Sequence, residues 1–359
     1  MTLLPASVGI TDPQPVLLAL VLLVGGLALL LVGAHFLVDR ATAMAHQFGV
    51  SPLAIGLTVI AFGTSAPELA LNVVAAASSE AGARLAFGNV VGSNIANIGL
   101  VLAVACLVHP VVAHKSIRYV YWPLLVATEV LLLVLAGTSQ EIDWVDGIVL
   151  LCSLPVALFI LHRLARTQGR ADIEKALDPL RSMNPTTIGM LCLGLVMLLA
   201  GAKLAEMGAI DIARAAGLSE AVIGLTVVAV ATSLPESFAA ILAAKRRQFD
   251  LAMGTVIGSN LFNILSVLAI TSLVRPVPIP QDVGWGSLIS MFIFTLAIGA
   301  IYIKKSRIYT RFLGRPDDIG PAGGVTLGRL WGGGVLALWI VVMVYYVVVG
   351  AQAGAAPGS

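Results

Sequence analysis

Long apolar stretches, separated by short polar segments, dominate the chain. Each is close to the length of about 20 residues that an α-helix needs to cross the hydrocarbon core of a bilayer. We predict spans at residues 15–38, 51–77, 85–108, 119–137, 145–163, 186–206, 218–244, 250–274, 284–303 and 330–350. The pattern therefore predicts an all-α polytopic membrane protein with ten transmembrane helices, five on each side of a polar interval.

The polar interval divides the chain into two halves. We expect an N-terminal five-helix repeat at residues 1–163, a cytoplasmic linker at 164–185 and a C-terminal five-helix repeat at 186–359. The linker is too short to fold as a domain of its own. Residues 1–20 contain no Lys or Arg, unlike the start of a cleavable signal peptide, so we expect the first span to be retained.

The two halves carry the same sequence motifs. Residues 55–68 read IGLTVIAFGTSAPE, and residues 223–236 read IGLTVVAVATSLPE. Residues 88–98 (GNVVGSNIANI) correspond in the same way to residues 254–264 (GTVIGSNLFNI). Internal symmetry with proline-interrupted apolar segments at matching positions indicates the binding site of a secondary transporter.

Composition and charge agree with a membrane location and give an orientation. Hydrophobic residues make up 58% of the chain and charged residues only 11%, whereas a soluble domain has roughly a quarter charged residues. If the N-terminus is outside, most of the 21 Lys and Arg residues fall in loops on the cytoplasmic side. This distribution predicts both termini outside. Because five crossings is an odd number, the two halves would then form inverted repeats.

Two glutamates lie inside otherwise apolar spans, at matching positions of the two repeats. An ionisable residue at the centre of a transmembrane helix costs at least about 2.5–3.5 kcal/mol on insertion scales. No Lys or Arg occurs at comparable depth beside Glu68 or Glu236 in these spans. A bound cation, or protons, must therefore balance their charge; the alternative is that both are protonated and structural.

Oxygen-bearing residues surround both glutamates in the sequence. A Thr–Ser pair lies one helical turn before each glutamate, and each following span carries a serine and an asparagine four residues apart. The prolines just before the glutamates lack an N–H, which frees backbone carbonyls in the preceding turn. The candidates are Thr64, Ser65, Ser93, Asn97, Thr232, Ser233, Ser259 and Asn263. For the serines and asparagines, helix–helix packing beside glycines is an alternative role.

The chemistry of these candidates limits the ligand. All are oxygen donors, which favour hard cations such as Ca²⁺, Mg²⁺, Mn²⁺ and the alkali ions, and disfavour Zn²⁺ and Cu⁺. Two carboxylates neutralise one divalent cation, or the same oxygens could divide into smaller sites for monovalent ions. Competition for shared carboxylates would couple the exchange of the two kinds of ion.

The doubled motif resembles that of a known family. GTSAPE at residues 63–68 and ATSLPE at residues 231–236, followed by GSNIAN and GSNLFN, resemble the α-repeats of the Ca²⁺:cation antiporter superfamily. The sodium/calcium exchanger branch and its prokaryotic members are the most similar, over nearly the whole chain. The resemblance implies a multi-pass protein of a bacterial or archaeal inner (plasma) membrane, which exchanges Na⁺ for Ca²⁺ by alternating access. It implies no enzymatic activity, no cofactor and no nucleic-acid partner.

The resemblance also implies a set of site residues and a moving part. It adds the backbone carbonyls of Ala61 and Ala229 to the glutamates and to the candidates named above. It further implies that the first and sixth spans slide against the core, which would suit the Gly–Ala pairs at residues 33–34 and 201–202.

Some features leave alternatives open. Some sodium/calcium exchangers carry an aspartate where this chain has Asn263, so the number of bound Na⁺ ions is not predicted. Ca²⁺/H⁺ exchange or K⁺-assisted exchange is the alternative function. Glu129 in the fourth span has no acidic counterpart in the second half, where Thr295 stands, so it is either structural or a secondary proton site. A cation channel or an intramembrane enzyme is disfavoured, the latter because no HExxH motif occurs in any span.

Overall fold

The computed structural model describes residues 13–48, 55–113, 117–173, 185–215, 229–280, 284–299 and 325–354. In the first half the elements are α1 (Pro13–Phe48), π1 (Gly56–Ile60), α2 (Ala61–Ser78), α3 (Glu80–Ala96), π2 (Asn97–Leu102), α4 (Ala103–Val108), β1 (Val111–Ala113), π3 (Ile117–Tyr121), α5 (Trp122–Ser139), β2 (Glu141–Ile142) and α6 (Trp144–Ile173), where π denotes a π-helical segment.

In the second half the elements are α7 (Pro185–Ala215), α8 (Ala229–Thr232), α9 (Leu234–Lys245), α10 (Phe249–Phe262), π4 (Asn263–Leu268), α11 (Ala269–Val274), β3 (Val277–Pro278), α12 (Gly284–Ile298), β4 (Val325–Leu327) and α13 (Arg329–Gly354). The protein is predominantly helical, as the sequence predicts.

Most predicted spans correspond to observed helical segments. In the described ranges, 8 segments are long and apolar enough to cross a membrane, and each coincides with a predicted span: Val16–Ala45, Gly56–Ser78, Glu80–Val108, Ile117–Ser139, Trp144–Leu161, Thr186–Ala215, Phe249–Val274 and Arg329–Tyr346. The predicted ninth span appears as a shorter apolar helix, Gly284–Ile298. Part of the predicted seventh span, residues 218–228, and linker residues 174–184 lie outside the described residues.

The spans differ in how deeply they are buried in the protein. About 78% of the most apolar window of the third span and 89% of that of the eighth span are buried. The corresponding fractions are only 22% in the first span and 17% in the last. The third and eighth spans therefore form the centre of the protein, and the first and last spans lie at its periphery.

Helices α1 and α7 pack against each other through glycines. A Cβ atom added to Gly33 would lie 2.5 Å from the backbone N of Leu198, and one added to Gly201 would lie 2.6 Å from the N of Leu30. Helices approach this closely only where small residues meet, which is typical of membrane helix pairs. At these two glycines, therefore, the close contact joins α1 to α7.

The connection between α2 and α3 is tight. Ser79 is the N-cap of α3, and its side-chain oxygen accepts a hydrogen bond from the Gly82 N–H at 3.0 Å. The carbonyl of Ala75 occupies the space that a Cβ at Gly82 would need. The side chain of Ser79 and the missing side chain of Gly82 thus let the second span turn directly into the third.

The two proline-containing spans differ in their backbone. Helix α2 continues through Pro67. In the second half the helix is interrupted at Ser233, where φ is −90° and ψ is 4°, so that α8 and α9 are separate elements. Proline disfavours a continuous helix because it lacks an N–H and clashes with the preceding turn; the interruption lies two residues before Pro235.

Short strands connect the two halves, a feature that the sequence analysis did not predict. β1 pairs antiparallel with β4, with Val111 opposite Leu327, and β2 pairs antiparallel with β3, with Ile142 opposite Val277. In both cases the segment after a buried central span pairs with the segment before a span of the other half. The ends of the halves are therefore joined by backbone hydrogen bonds.

The packing of α1 on α7 leads to a stability prediction. Gly33→Ala would place a methyl group against the α7 backbone, so we expect it to lower the free energy of unfolding by about 1–3 kcal/mol, the usual cost of overpacking. Gly25→Ala is the matched control on the same helix, since a Cβ there meets nothing within 4 Å. The measurement is thermal unfolding of both purified variants in detergent, and equal stability of the two would contradict the packing argument.

Candidate ion-binding site

The two glutamates of the repeated motifs are buried near the middle of the protein. Glu68 on α2 is 4% exposed and Glu236 on α9 is 2% exposed. The two helices that carry them are in contact. Among the described residues, neither carboxylate forms a salt bridge with a Lys or Arg side chain. The site thus holds two buried acidic side chains that no described basic side chain neutralises.

Four helical regions meet around these carboxylates. Helix α2 contacts α3, α10 and π4, while α9 contacts α10, π2 and α2. These elements carry all the residues predicted for the site except three. Ala229 and Thr232 lie in the short helix α8, and Ser233 is the residue at the interruption between α8 and α9. The fold therefore brings residues that are about 170 positions apart in sequence to one place.

Several oxygen atoms at the predicted site positions are buried and have no hydrogen-bond partner within the described part of the chain. They are Ser65 Oγ, Glu68 Oε2, Asn97 Oδ1, Ser233 Oγ, Glu236 Oε2, Ser259 Oγ and Asn263 Oδ1. Six of these atoms form three pairs of repeat-equivalent residues. A buried polar atom without a partner costs about 1–3 kcal/mol, so such a group of oxygens is expected only where something else, such as a cation, satisfies it.

The remaining predicted residues are distributed around this group. Thr64 is fully buried, and its hydroxyl donates to the Ala61 carbonyl at 3.3 Å. Ser93 is 5% exposed, and Thr232 is half-buried. Ala229 is the first residue of α8, so its backbone lies one turn before Thr232.

Close packing brings α10 against the turn that contains Ala61. A Cβ added to Gly258 would lie 2.7 Å from the Cβ of Ala61 and 2.8 Å from the Cα of Leu57. Only glycine fits at this distance, and the next residue along α10 is Ser259. The glycine of the GSN motif therefore has a packing role that also brings the serine to the site.

The backbone changes from α-helix to π-helix at the two asparagines of the site. Segment π2 begins at Asn97 and π4 begins at Asn263, and the two segments cover equivalent positions of the two repeats. π-helical turns are rare and occur frequently at functional sites, because the wider turn alters the direction of side chains and carbonyls. The same local irregularity therefore occurs at the same place in both halves.

Two further asparagines belong to the site region and were not proposed from the sequence. Asn94 and Asn260 are fully buried and hydrogen-bond with Asn263 and Asn97 at 3.0 and 2.9 Å. Both residues were visible as the third letter of the repeated GSN motif, three residues before the predicted ligands and hence on the same helix face. Helical spacing could thus have indicated them, but it could not have shown which residues they contact.

Glu129 lies outside this group of oxygens. It is fully buried on α5, and its Oε1 accepts a 2.7 Å hydrogen bond from the Thr295 hydroxyl on α12. Thr295 is the residue at the equivalent position of the second repeat, so the two positions contact each other across the halves. A second bond, from the Trp122 indole N–H to the Thr295 carbonyl at 2.7 Å, joins the same two helices.

The fold and the site together define a class of protein. Apolar helices long enough to span a membrane surround a buried cluster of carboxylate, hydroxyl and amide oxygens contributed by both halves. These are the donors that hard cations prefer, and ionisable groups buried at membrane depth typically mark ion pathways. The arrangement is that of a membrane transporter for cations.

Comparison with known proteins identifies the family. The sodium/calcium exchanger protein family matches residues 18–162 and 186–348. The chain belongs to this family, as a prokaryotic member of the Ca²⁺:cation antiporter superfamily, which confirms the resemblance seen in the sequence.

Individual relatives cover most of the chain. The inner membrane protein YrbG of Escherichia coli is 35% identical over 269 residues, which are 72% of this chain and 81% of YrbG. The sodium/calcium exchanger MaX1 of Methanosarcina acetivorans is 28% identical over 292 residues, 71% of this chain and 83% of MaX1. A solved structure of the sodium-calcium exchanger NCX_Mj superposes with a TM-score of 0.72 at 29% identity, covering 92% of this chain and 99% of NCX_Mj.

The contact between Glu129 and Thr295 leads to a prediction that separates a structural role from a transport role. Thr295→Val keeps the shape of the side chain but removes the donor to a buried carboxyl oxygen, so we expect a loss of about 1–3 kcal/mol of stability. Binding of Ca²⁺ at the site should be unchanged. Thr138→Val is the control, since the Thr138 hydroxyl is exposed and, within the described ranges, donates only to the Leu135 carbonyl of its own helix.

Thermal unfolding and equilibrium ⁴⁵Ca²⁺ binding of the purified variants would check this prediction. A change in Ca²⁺ affinity without a change in stability would place Glu129 in the ion pathway.

Proposed function

We propose that the protein extrudes Ca²⁺ from the cytoplasm in exchange for Na⁺, by alternating access of one central site in a prokaryotic inner membrane. The observation that carries this proposal is a set of seven buried oxygen atoms, two from Glu68 and Glu236 and five from other predicted site residues, without a hydrogen-bond partner in the described part of the chain. The ligand residues are those named from the sequence, together with the backbone carbonyls of Ala61 and Ala229. No cofactor is required, and the transported ions are the substrates.

The composition of the site supports Ca²⁺ as one substrate. Two carboxylates balance the charge of one divalent ion, and the hydroxyl, amide and carbonyl oxygens around them can complete the roughly six to eight ligands that Ca²⁺ takes. The apolar surroundings strengthen the attraction between the ion and the carboxylates. Two adjacent carboxylates without an ion would repel each other, which disfavours an empty site.

The same oxygens support coupling to a monovalent ion. Na⁺ ions that occupy the carboxylates exclude Ca²⁺ by competition, so the site holds one kind of ion or the other. The relatives MaX1 and NCX_Mj are named as sodium/calcium exchangers, which favours Na⁺ over H⁺ or K⁺. Asn263 contributes no charge, so in this proposal Glu68 and Glu236 provide both negative charges of the site.

Contacts between equivalent positions support an inverted repeat of five plus five helices. Residues 94 and 260, and residues 129 and 295, are each 166 positions apart, and both pairs are in contact. Equivalent residues meet in this way when they lie beside a two-fold axis that relates the halves. With both termini outside and residues 164–185 in the cytoplasm, this axis lies in the membrane plane, and each half presents an equivalent route to one side.

The periphery of the protein supports a sliding motion. Helices α1 and α7 are held to each other by glycine contacts, so they can move as one unit past the central helices. Arg246, at the end of α9, forms an ion pair with Asp39 on α1 and lies 2.6 Å from His35 Nε2. Such a contact between α1 and α9 can form in one position of the moving pair α1–α7 and break in the other.

Ca²⁺ flux into proteoliposomes tests the proposal. Vesicles loaded with Na⁺ and diluted into Na⁺-free medium should take up ⁴⁵Ca²⁺, whereas vesicles that carry only a pH gradient should not. Glu68→Gln and Glu236→Gln should each reduce uptake to background, because loss of one desolvated charge costs at least about 2 kcal/mol in ion binding, roughly 30-fold in affinity.

Glu80→Gln is the matched control, since Glu80 is exposed and, among the described residues, pairs only with Arg84 at the surface. It should transport like the parent protein. Uptake driven by the pH gradient alone would replace Na⁺ with H⁺ as the coupling ion. Absence of Ca²⁺ uptake with either gradient would refute Ca²⁺ exchange as the function.

A further inference from the structure

Four buried asparagines form a hydrogen-bonded network in the order Asn97, Asn260, Asn94 and Asn263, on α3, π2, α10 and π4. The Asn97 Nδ2 donates to Asn260 Oδ1 at 2.9 Å, and the Asn263 Nδ2 donates to Asn94 Oδ1 at 3.0 Å. Asn94 and Asn260 also donate to each other's backbone carbonyls, at 3.2 and 3.3 Å. Each bond joins one repeat to the other, and all four side chains are at most 2% exposed.

The hydrogen bonds of this network determine which end of the Asn97 and Asn263 amides faces the site. A backbone carbonyl only accepts hydrogen bonds, so the atoms of Asn94 and Asn260 that contact the carbonyls must be their nitrogens. Their Oδ1 atoms are then the acceptors, and the atoms that Asn97 and Asn263 direct toward them must also be nitrogens. The free ends of Asn97 and Asn263 are therefore both oxygens.

The orientation matters because the two ends of an amide have opposite polarity. The Oδ1 atom is an acceptor that can coordinate a cation, whereas the NH₂ group is a donor and repels one. An unconstrained amide can rotate and present either end. In this structure, both Oδ1 atoms are buried without a hydrogen-bond partner in the described part of the chain.

We propose that Asn94 and Asn260 are positioning residues, which touch no ion but hold the amides of Asn97 and Asn263 with their oxygens toward the transported cations. Each acts on the amide of the opposite repeat: Asn260 orients Asn97, and Asn94 orients Asn263. The proposal rests on the proposed function, because it assigns a role toward the cations of that site.

A double-mutant cycle on the full-length protein tests this pairing. Asn260→Leu removes the acceptor for Asn97 at similar side-chain volume. We expect it to weaken equilibrium ⁴⁵Ca²⁺ binding in detergent about tenfold, or about 1.4 kcal/mol. In an Asn97→Ala background the same change should have less than about a twofold effect, because no amide remains to be oriented.

The two equivalent bonds, Asn97 to Asn260 and Asn263 to Asn94, supply the matched control. In an Asn263→Ala background, Asn260→Leu should keep its full effect, since it acts on Asn97. Asn94→Leu should show the opposite pattern, with its effect lost in the Asn263→Ala background and kept in the Asn97→Ala background. Where the leucine variants do not fold, Asn260→Ala and Asn94→Ala replace them, and the same pattern is expected.

The possible outcomes separate this proposal from the proposed function. An equal loss of Ca²⁺ affinity in every background would mean that the asparagines contribute only packing, and would overturn the positioning role while leaving the exchanger function intact. If the unmodified protein binds neither Ca²⁺ nor Na⁺, the proposed function fails and the positioning role fails with it.

Discussion

Two carboxylates buried on contacting helices set the physical problem that the rest of the structure solves. Neither Glu68 nor Glu236 forms a salt bridge with a basic side chain among the described residues, and each is almost completely removed from solvent. Charges in such surroundings are expensive unless an opposite charge and hydrogen-bonding groups compensate them. The surrounding oxygens provide no opposite charge; in the proposed function, a bound cation provides it.

The helices around this pair are arranged in two layers with different kinds of contact. Near the centre, polar side chains join the halves through the four asparagines and through the bond between Glu129 and Thr295. Helices α1 and α7 meet each other through glycines. A polar centre beside a separately packed apolar pair suits a transporter, because the ion ligands must keep their geometry while another part moves.

Family membership and the site geometry support each other but answer different questions. The family match establishes that the chain is an antiporter of the sodium/calcium exchanger family. The geometry shows how a cluster of buried oxygens is built from these particular residues. Asn263 illustrates the difference: its amide donates to Asn94, so in the proposed site it supplies a neutral oxygen rather than a charge.

Much of the fold and nearly all of the candidate site could be predicted from the sequence. Length and apolarity determine the spans, since lipid requires continuous hydrophobic helices. The repeated GTSAPE and GSNIAN segments indicate the site, because carboxylates and prolines at matching positions in a membrane have few other uses. A span is a local property of about 20 residues, and the repeat requires only a comparison of two segments of the sequence; neither depends on knowing which residues are in contact.

Contacts between the halves could not be predicted in this way. The interruption at Ser233 but not at Pro67, the strand pairings across the halves, the contact of Glu129 with Thr295 and the orientation of the four asparagines all depend on residues far apart in the chain. Sequence determined which groups can bind a cation. Tertiary structure alone decided which end of each amide faces the site, because a hydrogen-bond partner from the opposite repeat makes that choice.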